Sequence, residues 1–528
     1  MKLFRNIKST LFLIILISFI LRCITAYMLG LEIDEGYYVS AYAFNPSISH
    51  FDHPPMVGFL IQLTSLNMSI LNEFTARLGF VILGTLSLIF IYLIGKEIKN
   101  KKTGFFAVCI AAASLYVTGF CGIMIIPDSP LLFFFLASFY FFLKFITGNP
   151  KDAKKLDMIL AFLFLGLSIY SKYQAVYLAI GIFLYILFYN RKWFKSISIY
   201  IVSLLPLFFI GLIFYWNYNN HFDSFSFHEN RVVHLTNIRF DLISSELGLE
   251  VLFYNPINVI LIFAALFLYH KRHFIKSSYF KLLLCSSIPL IATVLFLSLY
   301  NRTLSHWVGI SYVMLFFIAA AYLDDILDEI KYPAIYALVV LFVFELAMII
   351  IKQGYFIPSP DIPDSANSQY AMAVNNPPTP EKWEQELGSS DPTLIVYEWN
   401  QVNYIFKKFI KDHPEYKNYP LVTFRYFPAG QIDYNVAIPN KKKLLVFGPM
   451  VNIHEYYFVN KKRGGLAKGK NALYITTSRS FDSPERWLRD SYKYFREVNI
   501  IYRAPIYRSG KIVEFAFIYE LLDFLNPK

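Results

Sequence analysis

Apolar runs, each about as long as a membrane crossing, alternate with short polar breaks through roughly the first 350 residues of the chain. A crossing helix needs about 20 predominantly apolar residues, within a range of roughly 17–25. On that measure the pattern predicts about eleven spans, near residues 10–29, 74–95, 105–126, 131–147, 158–171, 175–190, 197–215, 251–270, 280–300, 308–323 and 334–352. The stretch 158–190 is the most constrained, because Ser171-Lys172-Tyr173-Gln174 must form a very tight turn between two helices. The N-terminus has a basic start followed by an apolar stretch, as a secretory signal would. Arg22 follows that stretch directly, no small-x-small cleavage site is evident, and many further runs follow, so it is read as the first span, retained in the mature chain.

The polar breaks carry an orientation. Lys96, Lys99, Lys101 and Lys102 share one break; Lys151, Lys154 and Lys155 lie two spans later; Arg191, Lys192 and Lys195, then Lys271, Arg272 and Lys276, continue the alternation. Basic residues accumulate on the cytoplasmic side. These breaks and the N-terminus are therefore expected inside, although the acidic break at 324–331 fits less well. The opposite breaks, at 30–73, 127–130, 171–174, 216–250 and 301–307, are expected outside. An odd number of spans puts residues 353–528 outside as well.

The last 176 residues read differently. A Pro-rich linker covers 358–380, and short β-type runs follow at 393–397, 421–426, 443–447 and 472–477. Helical or polar stretches at 402–411 and 484–497 lie among them. The expected architecture is a polytopic α-helical membrane protein, residues 1–352, with its functional outer loop at 30–73, followed by a soluble α/β domain, residues 353–528. Composition agrees: 56% of residues are hydrophobic, only 16% are charged, and mean hydropathy is +0.45. Soluble domains carry roughly 25% charged residues. The net charge of +12 sits in short clusters between apolar runs, as expected beside anionic lipid, and does not indicate nucleic acid as a partner. Cys23, Cys109, Cys121 and Cys285 all fall in apolar runs, so neither a disulfide framework nor a Cys-x-x-Cys metal site is expected.

The first outer loop concentrates the candidate chemistry. Glu32, Asp34 and Glu35 lie within four residues, and no Lys or Arg occurs from residue 31 to residue 76. Carboxylates without a local counter-charge need a partner from elsewhere or a raised pKa. Otherwise they are only a solvated acidic loop. Tyr37, Tyr38, Tyr42, Phe44 and Phe51 suggest an amphipathic segment that would hold the acids at headgroup depth. In Asp52-His53-Pro54-Pro55, the two prolines fix a rigid corner. His53 is a ligand, a phosphate contact, a proton carrier or a structural residue. Few basic residues lie on the expected outer side: Arg77, Lys172, Arg231, Arg239 and Arg302. A lipid-linked phosphate needs such donors, while lipid headgroups would explain each one singly. Asp128, in Pro127-Asp128-Ser129-Pro130, is a turn or cap residue or a functional acid, and Trp307 suits an interfacial anchor. Arg22 is an intramembrane charge, a functional candidate by default that snorkelling would also explain.

Together these pieces resemble bacterial glycosyltransferases of the protein-mannosyltransferase-like type, a superfamily that includes the aminoarabinose transferases of lipid A and shares the GT-C fold. The resemblance rests on Asp34-Glu35 with Tyr37-Tyr38, on Phe51-Asp52-His53-Pro54-Pro55-Met56, and then on Pro127-Asp128-Ser129-Pro130-Leu131, Gly166-Leu167, Ser171-Lys172-Tyr173 and His306-Trp307. It runs in order over roughly residues 10–320. It implies a polyprenyl-phosphate-linked sugar donor, an envelope acceptor such as a glycolipid, and inverting transfer on the periplasmic side of the inner membrane. It puts the essential acid on Asp34, with Glu35 beside it. It implies donor-phosphate contacts from Lys172, Arg231, Arg302 and His53, and substrate contacts from Asp52, Tyr37, Asp128 and His306. A divalent cation is compatible with this chemistry and not required by it. Aminoarabinose transferases carry Glu-Lys before Pro-Pro, where this chain has Asp52-His53, so a titratable group replaces a fixed charge. The alternatives are a transporter or flippase of lipid-linked sugars and a receptor. Transporters place charges and broken helices at mid-membrane, often in repeated halves; here the candidate charges crowd the outer loops and no repeat is visible. The cytoplasmic loops, each about ten residues, are short for a signalling receptor.

Overall fold

The computed structural model describes residues 6–232, 237–353, 392–397, 399–477, 490–508 and 510–526. The chain divides into two compact units, one joining Met1–Tyr27 to Ser47–Glu345 and the other joining Met28–Pro46 to Leu346–Lys528. The outer loop expected at 30–73 is therefore shared: its acidic first part goes with the C-terminal residues, its Pro-Pro corner with the helical unit. The Pro-rich linker at 358–380 lies outside the described residues.

Each of the eleven apolar runs falls on helix. Among the described residues, six helices are long and apolar enough to cross a membrane, or up to eight if each of two bent pairs is one span. The other three expected spans are helices of 16, 15 and 14 residues: Asp128–Leu143, Lys155–Ile169 and Val176–Tyr189. The bent pairs have local causes. Phe240–Tyr254 and Pro256–Arg272 meet at 101°. Between them Asn255 takes φ 74°, and its side chain accepts from the Ile257 amide, capping a helix that opens on a proline. Asn tolerates positive φ, and Pro is suited to the first helical position. Lys101–Ala112 and Tyr116–Ile123 meet at 81°. Thr118 Oγ1 donates to the Ala112 carbonyl at 2.7 Å, satisfying a group the break would strand.

Arg22 braces this second break. It is buried, and its guanidinium donates to the Val117 carbonyl at 3.0 Å and to Thr85 Oγ1 at 3.3 Å. A Cβ on Gly122 would stand 2.5 Å from Arg22 Nε, so the small residue there leaves room for the guanidinium. The intramembrane charge is thus a structural tie between three helical segments.

One polar network explains the acidic break at 324–331. Asp324 is buried and accepts from Asn100 Nδ2 at 2.8 Å and Thr103 Oγ1 at 2.9 Å, and its carboxylate pairs with Lys99 and Lys102, each at 3.1 Å. Asp325 pairs with Arg272 at 3.1 Å. The acidic break neutralises two of the basic ones, so all three share one end of the helical unit.

The C-terminal unit contains a five-stranded mixed sheet: β1 (Leu421–Thr423), β2 (Leu444–Val446), β3 (Ala472–Thr477), β4 (Phe495–Arg508) and β5 (Lys511–Phe524), in the order β2-β1-β3-β5-β4. Strands β1, β2 and β3 run parallel, while β5 is antiparallel to both β3 and β4. The apolar face of Val422, Leu445, Tyr474, Phe515, Phe517 and Tyr519 is its core. The amphipathic helix Trp399–Asp412 buries Val402, Ile405, Phe406 and Phe409. Two sequence expectations fail here. Residues 393–397 were expected as strand, yet Pro392–Val396 is a 3-10 helix: the Tyr397 amide turns back to the Leu394 carbonyl, and the Val396 carbonyl accepts from Gly30 instead of a strand. The helical reading of 484–497 lies partly outside the described residues; it holds over 490–494 and fails from Phe495, which is strand because pairing with Phe524 buries it.

Candidate active site

The acidic triplet is organised by a capping box. Glu32, the N-cap of the short helix Ile33–Tyr37, accepts the Asp34 amide at 2.9 Å, while the Glu35 carboxylate accepts the Glu32 amide at 2.8 Å. Two orphan donors of the first turn are satisfied reciprocally. Glu35 is 1% exposed; Asp34 is exposed. Glu32 and Glu35 cap the helix, and Asp34 lies at the surface. Burial first, then the neighbouring Asp34 and Glu35 carboxylates, push the Glu32 carboxyl up to about 8.

The aromatic residues after the triplet do not face lipid as expected. Tyr37, Tyr38 and Tyr42 are buried within the C-terminal unit. Tyr37 packs against Tyr426 at 5.1 Å and Tyr456 at 6.0 Å between ring centroids, and its hydroxyl accepts the Glu455 amide at 3.1 Å. Tyr37, expected to contact substrate, is a packing residue. Protein contacts, not headgroups, hold this segment.

In the helical unit, the Asp52-His53 turn is closed by the His50 amide on the His53 carbonyl at 3.3 Å, and Pro55 caps the helix Met56–Thr64. The helix Asp223–Val232 packs on this turn: Phe227 meets Phe51 at 4.9 Å, and His228 Nε2 lies 2.8 Å from the Asp52 carbonyl. A carbonyl only accepts, so Nε2 carries the proton in that contact. The His228 ring is 5.4 Å from Tyr173 and 6.3 Å from His53. The buried hydroxyls of Ser49, Tyr173 and Ser224 lie together at this turn, those of Ser49 and Ser224 within hydrogen-bonding reach of Tyr173.

Lys172 and Asp128 form a buried ion pair at 2.7 Å, with side chains 4% and 3% exposed. Asp128 is therefore a cross-helix partner, not a cap, and the charge of Lys172 is already matched. Arg302 is exposed, and Arg239 is paired locally with Asp241 at 2.6 Å. His306 lies in the turn Ser305–Val308, its ring 4.6 Å from Phe120. Arg231 ends the helix Asp223–Val232, and its side chain lies outside the described residues. Sequence reasoning missed His228 and the buried Glu246 and Glu250, which share one face of the helix Phe240–Tyr254; Tyr312 donates to Glu250 at 2.8 Å. The i, i+4 spacing of the two acids was the available signal. Among the described residues no group of three or more His, Cys, Asp or Glu side chains is arranged to hold a metal ion.

The chain thus has a helical unit with broken helices and a second unit that holds the exposed Asp34. The comparisons place a fold and a partial family match on this description. Residues 52–216 match the family model for dolichyl-phosphate-mannose-protein mannosyltransferase, a span that takes in Asp52, His53, Asp128 and Lys172. The fold is that of ArnT from Cupriavidus metallidurans. Its apo structure is 13% identical with a TM-score of 0.60, and the match covers 96% of this chain and 97% of that one. The same enzyme bound to undecaprenyl phosphate matches at 14% identity, TM-score 0.60 and the same coverage. An Archaeoglobus fulgidus oligosaccharyltransferase structure is 12% identical over 100% of this chain and 75% of that one, with a TM-score of 0.44. No curated protein matches by sequence. The resemblance read from the first outer loop therefore stands.

Proposed function

We propose that the protein transfers a sugar from a polyprenyl-phosphate carrier to a cell-envelope acceptor, with lipid A or a related glycolipid favoured, at the periplasmic face of the inner membrane. The observation that carries this is the presented Asp34 between two capping carboxylates, in a chain with the fold of an enzyme whose structure holds undecaprenyl phosphate. In a single inverting displacement, the acceptor oxygen attacks the anomeric carbon, the bond from that carbon to the phosphate oxygen breaks, and the lipid phosphate leaves with the bonding pair. Asp34 takes the acceptor proton or, where the acceptor is itself a phosphate, orients it. Cationic donors stabilise the departing phosphate. Exposed Arg302 and the turn at His53 are the donors we assign, together with Arg231. Lys172, buried against Asp128, acts as part of that pair and not as a free phosphate ligand. Asp52, with the hydroxyls of Ser49 and Tyr173, suits recognition of the sugar. The C-terminal unit is then periplasmic and the N-terminus cytoplasmic, as the basic breaks indicate.

The test is transfer from radiolabelled lipid-linked sugars to endogenous acceptors in membranes carrying the wild type or Asp34→Asn at equal expression. Losing a general base typically costs 10²–10⁴-fold, so the variant should lose about 100-fold or more in rate. Retained transfer removes Asp34 from the chemistry. Arg302→Ala should weaken donor use by about 10–100-fold, the worth of a hydrogen bond to a charged group; unchanged kcat and KM would make Arg302 a surface residue only.

A further inference from the structure

The helix that presents Asp34 is clamped on both sides by one short element of the C-terminal unit. Gln431, in the helix Tyr426–Ile432, donates from Nε2 to the Leu31 carbonyl at 2.8 Å, three residues before Asp34. The Gln431 amide cannot turn away, because its Oε1 accepts from Asn435 at 2.8 Å. Gly430 lies against the backbone of Tyr37, three residues after Asp34: a Cβ there would stand 2.5 Å from the Tyr37 nitrogen and 2.6 Å from its Cα. Ser40 Oγ donates to the Gly430 carbonyl at 3.2 Å, closing the same contact from the next turn. Backbone atoms form the crowded surface, so no side chain can swing aside to admit a larger residue.

We propose that Gly430 and Gln431 are positioning residues for transfer: they hold the acidic helix fixed within the C-terminal unit. This rests on the reading of Asp34 as the reacting carboxylate. A short helix of five residues has little stability of its own. Its capping box fixes the carboxylates relative to one another, but only the contacts at Leu31 and Tyr37 fix the whole helix. A shift of about 1 Å in a reacting group costs on the order of 100-fold in rate. The lipid-phosphate ligands assigned above lie in the other unit, so loss of the clamp should lower turnover and spare binding of the carrier.

The experiment uses the full chain in lipid nanodiscs, with Gly430→Ala, Gln431→Met and Asp34→Asn compared with wild type. Three quantities are measured: affinity for undecaprenyl phosphate, rate of sugar transfer in membranes, and hydrogen exchange over residues 31–43. The clamp predicts a transfer rate lowered about tenfold or more in Gly430→Ala and Gln431→Met, carrier affinity within about twofold of wild type, and faster exchange over 31–43. A purely structural role would instead lower affinity and rate together and speed exchange throughout the unit, which overturns the proposal. Transfer within twofold of wild type in Gln431→Met, with Asp34→Asn inactive, also overturns it and leaves the Asp34 reading intact; an active Asp34→Asn sinks that reading. If Gly430→Ala fails to fold, Gln431→Met decides alone, since it removes the two hydrogen bonds of the side-chain amide and adds no bulk at the backbone contact.

Discussion

Among the three acids of the first outer loop, hydrogen bonding assigns unequal roles. Glu35 is bound to the Glu32 amide and Glu32 to the Asp34 amide, and only Asp34 is presented. The raised Glu32 carboxyl has a consequence for pH. Its ordinary value is 4.5 and its folded value about 8, so the folded segment holds the proton more tightly than the unfolded one. The contribution to stability is full below about pH 4.5 and is lost as pH rises through about 8. Glu32→Gln keeps an acceptor for the Asp34 amide and removes the ionisation. We predict slower hydrogen exchange over residues 31–37 in the variant than in wild type at pH 9, and equal exchange at pH 5; equal rates at both would show that Glu32 does not ionise against its surroundings. The cluster itself was legible in the sequence, because three acids without a base over 46 residues is a strong compositional signal. Which acid is exposed was not, since Glu is an uncommon N-cap and the box depends on backbone geometry. For Tyr37 an aromatic at a loop suggested lipid or substrate, while its partners Tyr426, Glu455 and Tyr456 lie about 400 residues away.

Helices and turns carry the next layer of the account. The tight turn at 171–174 was expected from its four polar-flanked residues, and it sets Lys172 into a buried pair with Asp128 at the start of the helix Asp128–Leu143. Removing one partner of such a pair leaves an uncompensated buried charge and costs about 3–5 kcal/mol, whereas an apolar replacement of both is often neutral. Lys172→Met should therefore lower the melting temperature of the detergent-solubilised protein sharply, and Asp128→Leu combined with Lys172→Met should recover most of the loss. Additive losses in the double variant would show that the pair is not what couples the two positions. Apolar run length located the six helices of the described residues that are long enough to cross a membrane, because burial in lipid and burial in protein select the same composition. The hairpin of β4 and β5 was missed for a related reason. Arg496 and Glu497, at the start of β4, fall in the stretch read as helical or polar, and the register of the hairpin is fixed by long-range pairing with β3.

On the scale of the whole chain, the linear division into a membrane part and a tail does not describe how the residues pack. Met28–Pro46 follows the first helix in sequence and folds with the last third of the chain. A boundary drawn from composition cannot find such an exchange, since the segment is apolar enough for either unit. The exposed Asp34 thus belongs to the unit that holds the C-terminal residues. We propose that the whole chain moves a sugar from a lipid phosphate to an envelope acceptor through Asp34. Mass spectrometry of lipid A and the other envelope glycolipids, from cells with the gene, without it, and with an Asp34→Asn copy, tests this most directly. The account predicts one defined sugar mass present with the wild-type gene and absent from the other two. Identical glycolipid and glycan profiles in all three strains, with the protein expressed, would contradict it.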